Sequence, residues 1–283
     1  MRTQSIPQDI IDRAKRSDSR VTLKLGTSSL IDTNKWAFRD DWFSSFIDNT
    51  FSLSLTFAIV SSGAIGLERA ERGGYQPADL GKKQALAAIG QPKLIAKYTE
   101  AFKKHGISAG QILGSKINFT DPEGRANARR ALDSLRKLNA VPVINENDSV
   151  YTDEIRYGDN DRLAAYTAIA DGATTLILIT DIDGVYTDNP KKNPNAQKID
   201  IIDVLDAKVM ALGQGSGGDH ACGGMATKLM AAFIAAKHDA PHGIDTVILD
   251  GRDPECVKKL FEGDFSHATF IPHTAHSQMS LGF

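Results

Sequence analysis

The chain has 283 residues, 41% of them hydrophobic and 24% charged, with a formal net charge of −2. That length suits one large domain or two small ones, and the balanced charge, with no basic block, excludes an electrostatic drive towards nucleic acid. Two cysteines, Cys222 and Cys256, are too few for a disulfide scaffold, and no cysteine/histidine pair has metal-ligand spacing, so a reduced cytoplasmic setting is expected. In chain order, residues 1–20 come first as a polar N-terminal extension. It lacks the apolar stretch of a signal peptide, and Asp9, Asp12 and Asp18 do not suit a transit peptide. No apolar run reaches the ~20 residues of a membrane-spanning helix, so no membrane partner is expected.

Short apolar, β-branched runs follow at 21–25, 56–60, 107–113, 141–145, 175–180 and 246–249. Most are continuous rather than alternating, as in strands covered on both faces. Between them, segments 80–105, 125–138, 161–170 and 225–238 have helical spacing. In the first, Gly90 and Pro92 interrupt the apolar series Leu86, Ile89, Leu94, Ile95, Tyr98 and Phe102. Strands alternating with helices predict a mainly parallel α/β sheet. Segment 36–55 sets Trp42, Phe43, Phe46, Phe51, Leu53 and Leu55 among serines and threonines. Beyond a short helix over 40–48 it is ambiguous between helix and strand. Residues 191–197, KKNPNAQ, read as an exposed loop.

Three places could hold phosphate. Lys24-Leu25-Gly26-Thr27-Ser28-Ser29 lies at the end of the first strand, where open α/β sheets bind ligands. Gly26 would let backbone N–H groups approach an anion, and Lys24 would neutralise charge; an ordinary strand-to-turn junction reads the same way. Ser61-Ser62-Gly63 enters a helix after the second run, with the alternative that either hydroxyl merely caps it. Residues 213–228, GQGSGGDHACGGMATK, put six glycines before a helix that begins near Lys228. This is not a P-loop, and no dinucleotide fingerprint follows a strand. A plain surface loop has the same composition.

The densest polar cluster is Asn145-Glu146-Asn147-Asp148, followed by Gly158-Asp159-Asn160-Asp161. A hairpin over 150–157 would fold the two together. Asn and Asp side chains can bind the ammonium and carboxylate of an amino acid, or a magnesium ion through oxygens; turns and a helix cap at Asp159 are the plainer alternative. Thr180-Asp181-Ile182-Asp183-Gly184, after the fifth run, could hold a nucleotide base and ribose.

The ordered set VTLKLGTSSL, VSSGAIG, KQALAAIGQ, VPVINENDSV, GDNDRLAA, LILITDIDGVYTDNP and CGGMATKL resembles the glutamate 5-kinases of the amino acid kinase family, from about Val21 to Glu262. The resemblance implies a three-layer αβα sandwich with a mainly parallel sheet of about eight strands. It implies a kinase domain over 21–271 followed by a tail over 272–283; many bacterial members also carry a C-terminal PUA domain, which is expected to be absent here because few residues follow Glu262. It implies transfer of the ATP γ-phosphoryl group to the side-chain carboxylate of L-glutamate, with Mg2+ carried on ATP. Lys24 and Lys228 would approach the phosphates and Asp161 would hold them. Ser62, Asp148 and Asn160 would bind glutamate. Gly26, Thr180, Asp181, Cys222, Gly223, Gly224, Met225, Ala226 and Thr227 would line the ATP site with the two lysines. A homo-oligomer and feedback inhibition by proline are also implied.

Three departures stand out: Cys222 replaces the family's threonine, the stretch 214–220 differs from the family, and segment 36–55 is expected to lack the helix that follows the first strand and to be truncated or altered. Another amino acid kinase, or a non-catalytic protein sensing glutamate or proline, remains an alternative. Retention of Lys24, Lys228 and Asp161 argues for catalysis.

Overall fold

The first apolar run, β1 (Val21–Leu25), is buried along its whole length and lies inside the main sheet. The computed structural model describes residues 5–152, 160–213, 224–237 and 243–275. The other strands are β2 (Ile31–Asp32), β3 (Ala37–Phe38), β4 (Phe57–Ser61), β5 (Ser108–Gly114), β6 (Ala140–Glu146), β7 (Thr175–Thr180), β8 (Val185–Tyr186), β9 (Lys198–Ile199), β10 (Asp245–Asp250) and β11 (Ala268–Ile271). The helices are α1 (Ile6–Ala14), α2 (Thr27–Leu30), α3 (Asp40–Phe51), α4 (Ala64–Glu71), α5 (Leu80–Lys103), α6 (Lys116–Thr120), α7 (Pro122–Lys137), α8 (Asn160–Asp171), α9 (Ala207–Leu212), α10 (Met225–Lys237) and α11 (Cys256–Glu262).

The seven-stranded sheet has the order β11-β10-β7-β1-β4-β6-β5, and only β11 runs antiparallel to its neighbour. The expected count was about eight. From β1 the chain builds one flank through β4, β5 and β6, then crosses back to build the other through β7 and β10. The order therefore reverses at β1, and in such sheets ligands bind at the carboxyl ends of the strands beside the reversal.

The pleat sends alternate side chains to opposite layers. Leu23, Ile59, Ile177 and Val247 pack with α3, α4 and α5 through Phe43, Leu67 and Tyr98. Val60, Ile144, Leu178 and Ile248 pack with α7, α8 and α10 through Leu132, Leu163 and Leu229. This is the expected αβα sandwich. Cys256 is buried in the first layer, where burial pushes its thiol up to about 12, so it is a poor nucleophile.

Two expectations are corrected. Segment 36–55 does contain a helix after the first strand, three turns long over Asp40–Phe51. Its aromatic residues form a face that meets α5: Phe43 lies edge-on to Tyr98 and Phe51 edge-on to Phe102, with ring centroids 4.9 and 5.2 Å apart. Nor do Gly90 and Pro92 interrupt α5, which runs unbroken from Leu80 to Lys103. Gly90 is where α4 crosses: a Cβ there would lie 2.0 Å from the Ala64 carbonyl oxygen. Gly90→Ala is expected to destabilise the fold by about 1–3 kcal/mol through overpacking. An unchanged urea midpoint would contradict so close an approach.

The N-terminal extension is docked on the sheet. Ile10, Ile11 and Ala14 of α1 are buried, and Arg13 Nη1 donates to Asp245 Oδ2 at 2.9 Å. His273 Nδ1 lies 2.7 Å from the other oxygen of Asp245. At the far end of α8, Arg20 and Arg136 clamp Asp171 at 3.0 and 2.5 Å. Cations suit a helix C-terminus, and here they fix the axis of α8.

Candidate active site

Lys24 is the fourth residue of β1 and faces the layer of α8 and α10. Its ammonium bends towards the turn at Gly26, where a Cβ would lie 3.5 Å from Nζ. Asp161, in the first turn of α8, is fully buried, while Lys24 and Lys228 are 7% and 5% exposed. Lys24 Nζ lies 2.7 Å from Asp161 Oδ1, and Lys228 Nζ, from the first turns of α10, lies 3.1 Å from Oδ2. Thr227 Oγ1 donates to the same Oδ2 at 2.7 Å. Burial alone would raise the Asp161 carboxyl; the Lys24 and Lys228 ammoniums reverse that and hold it far below the usual carboxylate range. Burial also pushes Lys228 below the ordinary lysine value; Asp161 opposes the shift and Lys24 adds to it. An arriving polyanion would relieve that pressure on the ammonium.

Two cavities flank this ion triad. One, of about 290 Å3, is lined by Thr180, Asp181, Asp183, Gly224, Met225 and Lys228 among others. The second, of about 280 Å3, is lined by Thr27, Gly63, Gly66, Lys83, Asp148 and Asn160 among others. Asn160 lines the second cavity, and its chain neighbour Asp161 holds Lys228, which lines the first.

Ser62 does not cap α4; that position is Gly63, whose φ of 109° is in the left-handed region that favours glycine. Ser62 Oγ instead accepts from Asn160 Nδ2 at 2.8 Å. Asn160 Nδ2 also donates to Asn145 Oδ1 at 3.1 Å, and Asn145 Nδ2 to Gln91 Oε1 at 2.7 Å. Gln84 Nε2 donates to the Ser149 carbonyl at 3.0 Å. Gln84 thus ties α5 to the turn that carries Asp148, and Gln91 ties it to the end of β6. Among the site residues singled out in the sequence, Lys24, Gly26, Ser62, Asp148, Asn160, Asp161, Thr180, Asp181, Gly224, Met225, Ala226, Thr227 and Lys228 gather at this edge of the sheet. Cys222, Gly223, Asp159 and most of the expected hairpin over 150–157 lie outside the described residues.

The amino acid kinase family matches the chain over residues 19–250. The chain belongs to the amino acid kinase family. A relative called glutamate 5-kinase from Dinoroseobacter shibae is 38% identical over 259 residues, covering 90% of this chain and 69% of its own length. The glutamate 5-kinase of Photorhabdus laumondii is 44% identical over 209 residues, covering 73% of this chain and 55% of its own. The chain thus spans between roughly half and about two thirds of the length of these relatives. Solved structures share the fold. UMP kinase from Ureaplasma parvum superposes with a TM-score of 0.59 at 13% identity, covering 91% of this chain and 100% of that one. An isopentenyl phosphate kinase gives 0.59 at 22%, covering 89% and 99%.

Around this candidate site, sequence reading missed Gln84, Gln91, Lys83, Arg69 and Arg252. The two glutamines stand in KQALAAIGQ, a motif that carried the resemblance but was given no role. Arg252 follows β10 and lines the Thr180 cavity, where the rule of strand carboxyl ends already pointed. Lys83 opens the same KQALAAIGQ motif and lines the Asp148 cavity; Arg69 reaches that cavity from α4, where nothing local marks it. For magnesium, no cluster of three His, Cys, Asp or Glu suited to a metal exists among the described residues. The buried carboxylate of Asp161 is already taken by two ammoniums and a hydroxyl. These residues do not fit an ion held by the protein, and an ion carried on triphosphate oxygens needs few protein ligands. No step below is routed through it.

Proposed function

We propose that this chain transfers the γ-phosphoryl group of ATP to the side-chain carboxylate of L-glutamate, giving L-glutamyl 5-phosphate, the first step of proline biosynthesis. The observation that carries this reading is one buried carboxylate holding two ammoniums between two small cavities. The names of the relatives supply the substrate. ATP would occupy the Thr180–Asp181 side, with Gly26 and residues 222–228 around its phosphates. Glutamate would occupy the Asp148–Asn160 side, where Ser62, Asp148 and Asn160 orient it and Lys83 and Arg69 attract its α-carboxylate.

A carboxylate is already a nucleophile and needs no general base. Catalysis then rests on positioning the oxygen in line and on neutralising charge as the phosphoryl group moves. Lys24 and Lys228 supply that charge. Asp161 positions both and keeps them from drifting apart when the cleft is empty. The reading extends to a cytoplasmic homo-oligomer inhibited by proline at the glutamate side.

An ATP-dependent hydroxamate assay tests the reaction, because γ-glutamyl hydroxamate forms only if an acyl phosphate is made. Product with glutamate, and none with aspartate or acetylglutamate, is the expected result; no product with glutamate refutes the reading. In the same assay, Asp148→Ala is expected to raise the KM for glutamate at least about tenfold while that for ATP moves little, as for loss of a charge-assisted contact to the ammonium. Equal changes in both constants would remove Asp148 from the glutamate side.

A further inference from the structure

A third cavity, of about 320 Å3, lies on the outer faces of α8 and α10, closed by α6 and the start of α7. None of its lining residues belongs to the two cavities at the ion triad. Its walls are Phe119, Tyr166, Ile169, Met230, Phe233 and Ile234. Its charged groups are of one sign: Lys116, Arg125, Arg162 and Lys237 line it beside the neutral Thr120, with no carboxylate among the described lining residues. On a chain of net charge −2, four cations around one apolar hollow depart from the average surface.

Lys116, Arg125 and Lys237 form no ion pair among the described residues. Lys116 Nζ lies over the Tyr166 ring at 5.9 Å and Lys237 Nζ over the Phe233 ring at 5.6 Å. Ammoniums resting on ring faces keep their charge without a carboxylate to neutralise it. An apolar hollow with a few convergent charged groups is the usual form of a small-molecule site, and its volume lies near the lower end of the usual range of about 300–1,000 Å3.

We propose that this cavity is a second ligand site, taking a small organic anion: an apolar, preferably aromatic body seated among Phe119, Tyr166 and Phe233, with its carboxylate, sulfate or phosphate head at Arg125 and Lys237. The assignment does not depend on the reaction catalysed at the ion triad.

The probe is 1-anilinonaphthalene-8-sulfonate, which joins an aromatic body to one fixed negative charge, titrated by fluorescence into the full chain held at saturating ATP and glutamate. One saturable site that persists under those conditions is expected. The double variant Arg125→Glu with Lys237→Glu is expected to bind it about tenfold more weakly or worse. Each exposed ion pair is worth a few-fold, and reversal adds repulsion. The neutral analogue N-phenyl-1-naphthylamine is expected to bind the native chain about tenfold more weakly, for want of the same charge contacts. Arg125→Ala and Lys237→Ala, milder changes at the rim, should each give an intermediate loss with an unaltered thermal midpoint. Displacement of the probe by ATP or glutamate, or equal binding by the double variant, would overturn the assignment.

Discussion

Lys24→Ala lowers kcat by about 10²-fold or more, and Lys228→Ala does the same, as expected when one of two charges aimed at a transferring phosphoryl group is lost. Neither change should move the KM for glutamate much, because neither lysine lines the Asp148 cavity. The two losses should not multiply. Both lysines answer to the same carboxylate, Asp161, so removing one alters the surroundings of the other, and residues acting as a unit are not additive. The measurement is steady-state turnover of single and double variants by ADP release and hydroxamate formation. Wild-type turnover in both single variants would end the assignment of the triad to catalysis.

Asp161→Asn keeps the shape of the site and removes a fully buried negative charge. Two ammoniums, each under a tenth exposed, would then lose the carboxylate they share. Breaking a buried pair in this way costs about 3–5 kcal/mol, and the expected result is a loss of that order in urea unfolding at neutral pH, together with a fall in kcat. The pH dependence gives a second reading. The folded carboxyl is held below its unfolded value, so its contribution is present in full above the unfolded carboxylate range, near about 4, and is lost as pH falls from there through the lowered folded value. The native chain should therefore lose stability on that acid limb, while the variant shows a flatter profile. Parallel profiles would mean that Asp161 contributes nothing through its charge.

Much of the sheet was legible because its strands are buried on both faces and carry continuous apolar runs. The ends of β4, β5, β6 and β10 differ from the expected ones by a residue or so, since strand ends are set by pairing with neighbours. Segment 36–55 was illegible for a different reason. Phenylalanine, serine and threonine are compatible with either geometry, and what decides for helix is the face of rings that α5 offers to Phe43 and Phe51. Gly90 and Pro92 misled because glycine was read as a helix breaker, whereas it makes room for the Ala64 carbonyl. At the site, Lys24 and Lys228 could be found from a strand end and a glycine-rich run. The placing of Asp161 between them rested on the resemblance alone, because no spacing joins residues so far apart in the chain. The Gln91–Asn145–Asn160–Ser62 chain of hydrogen bonds was out of reach for the same reason.

The clamp of Arg13 and His273 on Asp245 has a bearing on handling the protein. It gathers the leading helix and the segment after β11 at the first residue of β10, behind the sheet, while the triad sits at the opposite pole where the parallel strands end. An affinity tag or fusion partner joined beyond either of these segments would approach the molecule from the rear and leave the mouth of the cleft open. Trimming the leading helix would be less innocent, since it would remove Ile10 and Ile11 from the core and strip Asp245 of its guanidinium.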